Sequence, residues 1–166
     1  AGSASAFLTP ELLALPEETL LAMAEDASFS EYSEALRSVL RLKPHTLPAQ
    51  QEALLAAAGE VLSGPSEIFG MFNNVDAPLP EVTMEDGSRA RLTHGNYGPL
   101  IRSQNRAVRK EAFEGMMGAY QKFAATLGAT YAASVKGCVF TARAHHYASA
   151  RQASLYPLEI PESVYD

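Results

Sequence analysis

Apolar residues recur at helical spacing along most of this chain, with one stretch where they alternate instead. Leu15-Pro16-Glu17-Glu18 places a proline and two acids ahead of Leu20, Leu21 and Met23, the signature of a helix start. Thr9-Pro10-Glu11 gives the same signal six residues earlier. Ser28 and Glu31 stand at capping-box spacing before Tyr32, Ala35, Leu36, Val39 and Leu40, and Lys43-Pro44-His45 breaks the helix they predict. A further helix is expected from about Pro48 to Leu62, burying Leu54, Leu55, Ala58, Val61 and Leu62. Gly64-Pro65 should end it, and Ser66 to Asn73 should form a shorter one. Short connections of this kind predict antiparallel helical hairpins.

From Pro78 the texture changes. Glu81-Val82-Thr83-Met84 and Ser88 to Thr93 flank Glu85-Asp86-Gly87, a hairpin signal in which Asp-Gly supplies the positive φ of the turn. Ala90 and Leu92 alternate with Arg89, Arg91 and Thr93, so one face should be buried. Helical spacing then returns through Val108, Ala112, Phe113, Met116, Tyr120, Phe123, Leu127, Tyr131, Val135, Cys138, Val139 and Ala142. Gly115, Gly118, Gly128 and Gly137 interrupt this stripe; they suggest close helix–helix approach or a break near Gly128. The predicted class is mainly α, with long helices and one small β-hairpin at about 81–93. The expected segments are 1–80 (N-terminal helical hairpins), 81–97 (hairpin and turn) and 98–166 (long helices), forming one continuous unit.

Composition narrows the function. The 166 residues are 47% hydrophobic and 19% charged, as expected of one globular domain. Thirteen basic against nineteen acidic residues leave a net charge of −6, which argues against a mainly electrostatic nucleic-acid binder. No apolar run reaches the roughly eighteen residues of a membrane span, and one cysteine, Cys138, allows no internal disulfide. These features predict a soluble, cytoplasmic protein with no nucleic-acid or membrane partner. The ends suggest a piece of a longer chain. Ala1 to Ala6 reads as a processed terminus or a cloning scar, and Ile160 to Asp166 reads as a helix opening that stops before it gathers an apolar face.

The chemistry-bearing residues are few. His45, His94, His145 and His146 show no i, i+4 pair of the kind that holds zinc on one helix. His145 and His146, adjacent on a helix, would point about 100° apart. Cys138 lies in the apolar stripe and is expected as a buried thiol rather than a nucleophile. Arg102, Arg106, Arg109 and Lys110 form either an anion contact or a solvated face paired with Glu111 and Glu114. Thr93-His94-Gly95-Asn96-Tyr97 either caps the following helix or lines a site. Composition and spacing therefore assign no catalytic residue, no metal ligand and no substrate-binding residue.

A longer set of segments carries a resemblance. Phe7 to Leu13 and Leu15 to Leu20 are followed by Leu42-Lys43-Pro44-His45-Thr46-Leu47, Gly59-Glu60, Ser66-Glu67-Ile68-Phe69 and Phe72-Asn73-Asn74-Val75-Asp76. Then come Asp86-Gly87, Leu92-Thr93-His94-Gly95-Asn96-Tyr97, and Ser103 with Arg106 to Phe113. Arg143, Tyr147-Ala148-Ser149-Ala150 and Ile160 to Asp166 complete the set. In order and spacing these resemble oligoendopeptidase F, a branch of the thimet-oligopeptidase-like zinc metallopeptidases.

The resemblance implies a piece of the N-terminal half of a longer zinc metalloendopeptidase acting on oligopeptides. In that family a later His-Glu-x-x-His helix and a further Glu hold zinc, which activates water. None of these positions is present, so the resemblance transfers no catalytic residue or zinc ligand. It casts the chain as part of the wall of a substrate channel, inactive alone, with a catalytic half as its partner. Where the family pattern has basic residues before the tyrosine of its Arg-x-x-Tyr region, this sequence has His145-His146 before Tyr147. Two other readings remain open at this point: a stand-alone helical interaction module, and a subunit complementing a separately encoded catalytic half.

Overall fold

The computed structural model describes residues 8–166. The stretch from Ala1 to Phe7 lies outside the described residues. Eight α-helices and a two-stranded antiparallel sheet are present among the residues described, so the chain is mainly α. It divides into two compact units. One comprises the residues up to Gly59 together with Lys136–Asp166, and the other is Glu60–Val135.

In the first unit, α1 (Leu8–Ala14) starts before the expected Thr9 cap. Pro16 precedes α2 (Glu17–Glu25), whose first turn carries Glu17 and Glu18 as the sequence predicts. Ser28 and Glu31 do not form a capping box. Asp26 accepts from the Ser28 N–H at 2.7 Å and opens a 3₁₀ segment, Ala27–Tyr32, so that α3 begins only at Ser33 and runs to Leu42. A carboxylate two residues upstream captures the N–H that the expected box needed. Lys43–His45 then forms a 3₁₀ turn, the expected break. Leu20, Ala24 and Leu36 form this unit's core, with Leu12, Leu15, Met23, Val39 and Leu40 packed against it. At the far end α8 (Ala150–Leu155) is capped by Ser149, which accepts from Gln152 N–H. Pro161 leads only into the 3₁₀ turn Glu162–Val164 rather than an α-helix, with Arg151 bridging Glu162 and Asp166, each at 2.6 Å.

Helix α4 (Ala49–Met71) contributes residues to both units and corrects two expectations. Gly64-Pro65 does not end it. Proline removes one N–H and crowds the carbonyl four residues back, but the helix continues through it, and Gly64 before it has no Cβ to add a further clash. The expected inward face is also absent: no residue of α4 is buried, and Leu54 and Val61 are 71% and 79% exposed. The helix passes into a π-type turn at Phe72–Asp76.

In the second unit, β1 (Glu81–Thr83) pairs with β2 (Arg89–Arg91) in the register Val82 opposite Ala90. The turn is a residue longer than a two-residue hairpin loop. Gly87 N–H donates to the Met84 carbonyl at 3.0 Å and Met84 N–H to that of Ser88 at 2.8 Å, with Gly87 at φ +83°. This three-residue loop needs left-handed backbone only at its last position, which the glycine supplies. Val82 and Leu92 point into a core completed by Leu100 of α5 (His94–Ile101) and by Val108, Ala112 and Met116 of α6 (Arg106–Gln121).

The long helical stripe is broken at Lys122-Phe123, not near Gly128, and α7 (Ala124–Ala144) follows. At this break Tyr120 and Phe123 both bring their rings onto Phe72, with centroids 5.7 and 5.1 Å away. Of the glycines in the stripe, Gly115 marks a close approach, but to the hairpin rather than to a helix. Gly118 and Gly128 face open space. Only Ala142 of α7 is buried, and Cys138, expected in the core, is exposed.

Candidate functional site

The residues with functional chemistry fall into one cluster in each unit. In the first, His45 stacks on Tyr147, the ring centroids 3.7 Å apart and the planes 8° from parallel, while Tyr156 meets His45 edge-on at 5.0 Å. His45 Nδ1 donates to the His145 carbonyl at 2.8 Å. His145 in turn directs Nδ1 to the Thr141 carbonyl at 2.9 Å and Nε2 to Glu52 Oε2 at 3.4 Å. The Glu52 carboxyl also accepts the Leu47 N–H at 2.9 Å. That bond first, and His145 second, hold it below the usual glutamate range. Burial pushes the Tyr147 hydroxyl up, with Tyr156 adding to the shift. His145 and His146 do not sit within a helix as expected. They follow the end of α7, where His146 takes a left-handed conformation at φ 61° and closes the C-terminus.

The second cluster surrounds the Thr93–Tyr97 segment. Thr93 and Asn96 form a full capping box: Thr93 Oγ1 accepts Asn96 N–H at 3.1 Å, and Asn96 Oδ1 accepts Thr93 N–H at 2.7 Å. The segment therefore caps α5. Asn96 Nδ2 reaches back to the Arg91 carbonyl at 2.9 Å, tying hairpin to helix. His94 Nε2 donates to the Asn73 carbonyl at 3.1 Å, and Tyr120 hydroxyl donates to Asn73 Oδ1. Burial raises the Tyr120 pKa. The basic cluster on α6 does not pair as expected with Glu111. Arg109 donates to the Ser103 carbonyl at 2.6 Å, Lys110 pairs weakly with Glu114 at 3.8 Å, and Glu111 turns to Arg89 and the Thr83 N–H of the hairpin.

Sequence reasoning singled out His45, His94 and His145 but missed their partners Glu52, Asn73, Tyr120 and Tyr156. Glu52 and His145 are 93 positions apart, and Asn73 and Tyr120 are 47 apart. No local pattern relates such residues. Among the described residues no three His, Cys, Asp or Glu side chains come together to hold a metal, so these residues do not fit a catalytic zinc centre, and no metal-dependent step can be assigned to them. No helix among those described is long and apolar enough to cross a membrane.

Apolar side chains exposed on α4 and α7 complete the picture. Ile68, Phe69 and Met71 on α4, and Tyr131 and Val135 on α7, are exposed large apolar side chains. There an apolar groove of about 360 Å³ is lined by Pro65, Phe69, Leu127 and Tyr131. Patches of this kind mark surfaces that meet something else.

Comparison with known proteins places this architecture. Residues 11–77 match the family model described as Oligopeptidase F. The whole chain aligns at 40% identity with oligopeptidase PepF of Bacillus subtilis, covering 25% of that protein. It aligns at 38% identity over 99% of its length with the plasmid-borne oligoendopeptidase F of Lactococcus lactis subsp. cremoris, covering 28% of it. The solved structure of oligoendopeptidase-F from Enterococcus faecium superposes with a TM-score of 0.80 at 38% identity, over 95% of this chain and 30% of that one. The chain thus spans about a quarter of the length of the curated relatives it matches. By sequence and by fold, it matches the N-terminal part of the oligoendopeptidase F family.

Proposed function

We propose that these residues are the substrate-enclosing, non-catalytic N-terminal part of a cytoplasmic zinc metalloendopeptidase that hydrolyses oligopeptides. One observation carries the reading: the entire chain aligns with about a quarter of proteins named as oligopeptidases, at up to 40% identity. The bare apolar rows on α4 and α7 support it, because burying such surface is worth about 25 cal/mol per Å² and the longer relatives supply the chain to do it. In this reading zinc and its ligands belong to the catalytic half. The present residues bind, orient and enclose peptide. The relatives do not favour a stand-alone interaction module or a separately encoded complementing subunit.

The test is to express the full-length protein and measure its metal content beside hydrolysis of a short oligopeptide and of a folded protein. The expected result is stoichiometric zinc, cleavage of the oligopeptide, and no cleavage of the folded protein. A full-length protein that holds no metal and leaves the oligopeptide intact would overturn the reading.

A further inference from the structure

A recess of about 370 Å³ lies in the second unit where the turn after α4, the hairpin and the start of α5 meet. Its apolar lining is Val75, Ala77, Leu79 and Leu92, of which Ala77 and Leu92 are buried and Val75 is exposed. Its polar lining comes from Asn73, Asn74, Arg91, Thr93 and His94. Although the chain carries a net charge of −6, no Asp or Glu lines this recess, and Arg91 is its one lining Lys or Arg.

The polar groups are unequally engaged. Asn73 is engaged at three atoms: its carbonyl accepts from His94, its Oδ1 accepts from Tyr120, and one N–H of its Nδ2 donates to Asn74 Oδ1 at 3.0 Å. Those bonds fix Asn74 by its oxygen and leave its amide N–H₂ without a partner among the described residues. Among the described residues the Arg91 guanidinium has no partner, while its backbone carbonyl accepts from Asn96 Nδ2. Its cross-strand neighbour is Glu81, yet the two form no ion pair, whereas Arg89 on the same strand is committed to Glu111. The recess therefore offers a guanidinium fork and an amide donor above a small aliphatic floor. A guanidinium is the side chain best shaped to grip a carboxylate with two parallel hydrogen bonds.

We propose that this recess binds the C-terminal carboxylate of an oligopeptide, with Arg91 and Asn74 donating to the carboxylate and the terminal side chain resting on Ala77 and Leu79. The assignment rests on the oligopeptide reading above. It makes Arg91 a specificity-determining residue that selects for a free chain end and sets how deep a peptide can sit.

The experiment uses the full-length protein, its R91Q and N74A variants, and one fluorescent oligopeptide made both as the free acid and as the C-terminal amide. Equilibrium binding by anisotropy is read beside KM. Arg91 is on the surface, so its replacement leaves the core intact. The wild-type protein should prefer the acid by about tenfold, the equivalent of one charge-assisted hydrogen bond discounted for exposure. R91Q should abolish the difference, and N74A should reduce it. Equal affinity of wild type for acid and amide, or an acid preference that survives R91Q, overturns the proposal even if the protein hydrolyses both peptides. Competition by inorganic phosphate as strong as by the acid peptide also overturns it, because the recess would then be a general anion site. A protein that binds neither peptide refutes the proposal together with the oligopeptide reading.

Discussion

The Cβ that Gly115 lacks would sit 3.0 Å from Cγ of Pro80, tighter than nearly all Cβ contacts in proteins. The same position lies 3.3 Å from Leu92 and 3.5 Å from Val82, so the hairpin rests directly on the backbone of α6. Gly115→Ala forces the proline ring and Leu92 aside, an overpacking cost of about 1–3 kcal/mol against a gain of about 1 kcal/mol in helix propensity. Gly118, three residues on, has nothing within 4 Å. Chemical denaturation should therefore show G115A less stable than the parent and G118A more stable by about 0.5–1 kcal/mol. The reverse order would remove the hairpin from this face of α6.

Glu111 is the polar counterpart of that contact. It accepts the Thr83 N–H at 3.1 Å and pairs with Arg89, and bonds to Thr83 first and Arg89 second lower its pKa below the ordinary 4.5. A carboxylate depressed in the folded state adds stability that is fully present above its unfolded pKa and is lost as pH falls through the folded one. The stability difference between the parent and E111Q should thus be constant near neutral pH and shrink below about pH 4.5. Denaturation midpoints measured from pH 7 to pH 3 check this, and a gap that widens on acidification contradicts it.

Thr93 caps α5 through Asn96 in a reciprocal pair of hydrogen bonds. Thr93→Ala removes one acceptor and should cost about 1 kcal/mol, while Thr93→Ser should cost little. Hydrogen exchange should localise the loss to the first turn of α5. Protection there that is identical in T93A and the parent would count against the cap.

Pro65 sits inside α4 and cannot donate to the Val61 carbonyl four residues back. Pro65→Ala restores that donor and should stabilise the helix by about 1–3 kcal/mol. A destabilised P65A would mean that the proline ring fills a contact which offsets the missing hydrogen bond.

The features that were legible in the sequence are those whose signals are local. Val82, Ala90 and Leu92 alternate, Gly87 supplies one positive φ, and together they specify the hairpin. Val108, Ala112 and Met116 recur at helical spacing and are the buried face of α6. Periodicity says which side of a helix seeks an apolar neighbour, but not whether that neighbour lies within these residues. Leu54, Val61, Tyr131 and Cys138 follow the same rule as Val108 and yet are exposed. Pro65 misled because one part of a proline's effect, the clash with the Cβ of the residue before it, is absent where that residue is glycine. The clusters around His45 and His94 were half legible: the histidines stood out, but their partners Glu52, Tyr147, Asn73 and Tyr120 are brought to them only by the fold.

The most direct measurement compares peptide hydrolysis by the full-length protein with hydrolysis by residues 1–166 alone, on the same short oligopeptide and with zinc supplied to both. If these residues enclose substrate for a catalytic half elsewhere in the chain, the full-length protein cleaves the peptide and the isolated piece does not. Turnover by residues 1–166 alone, or none by the full-length protein, would contradict the account.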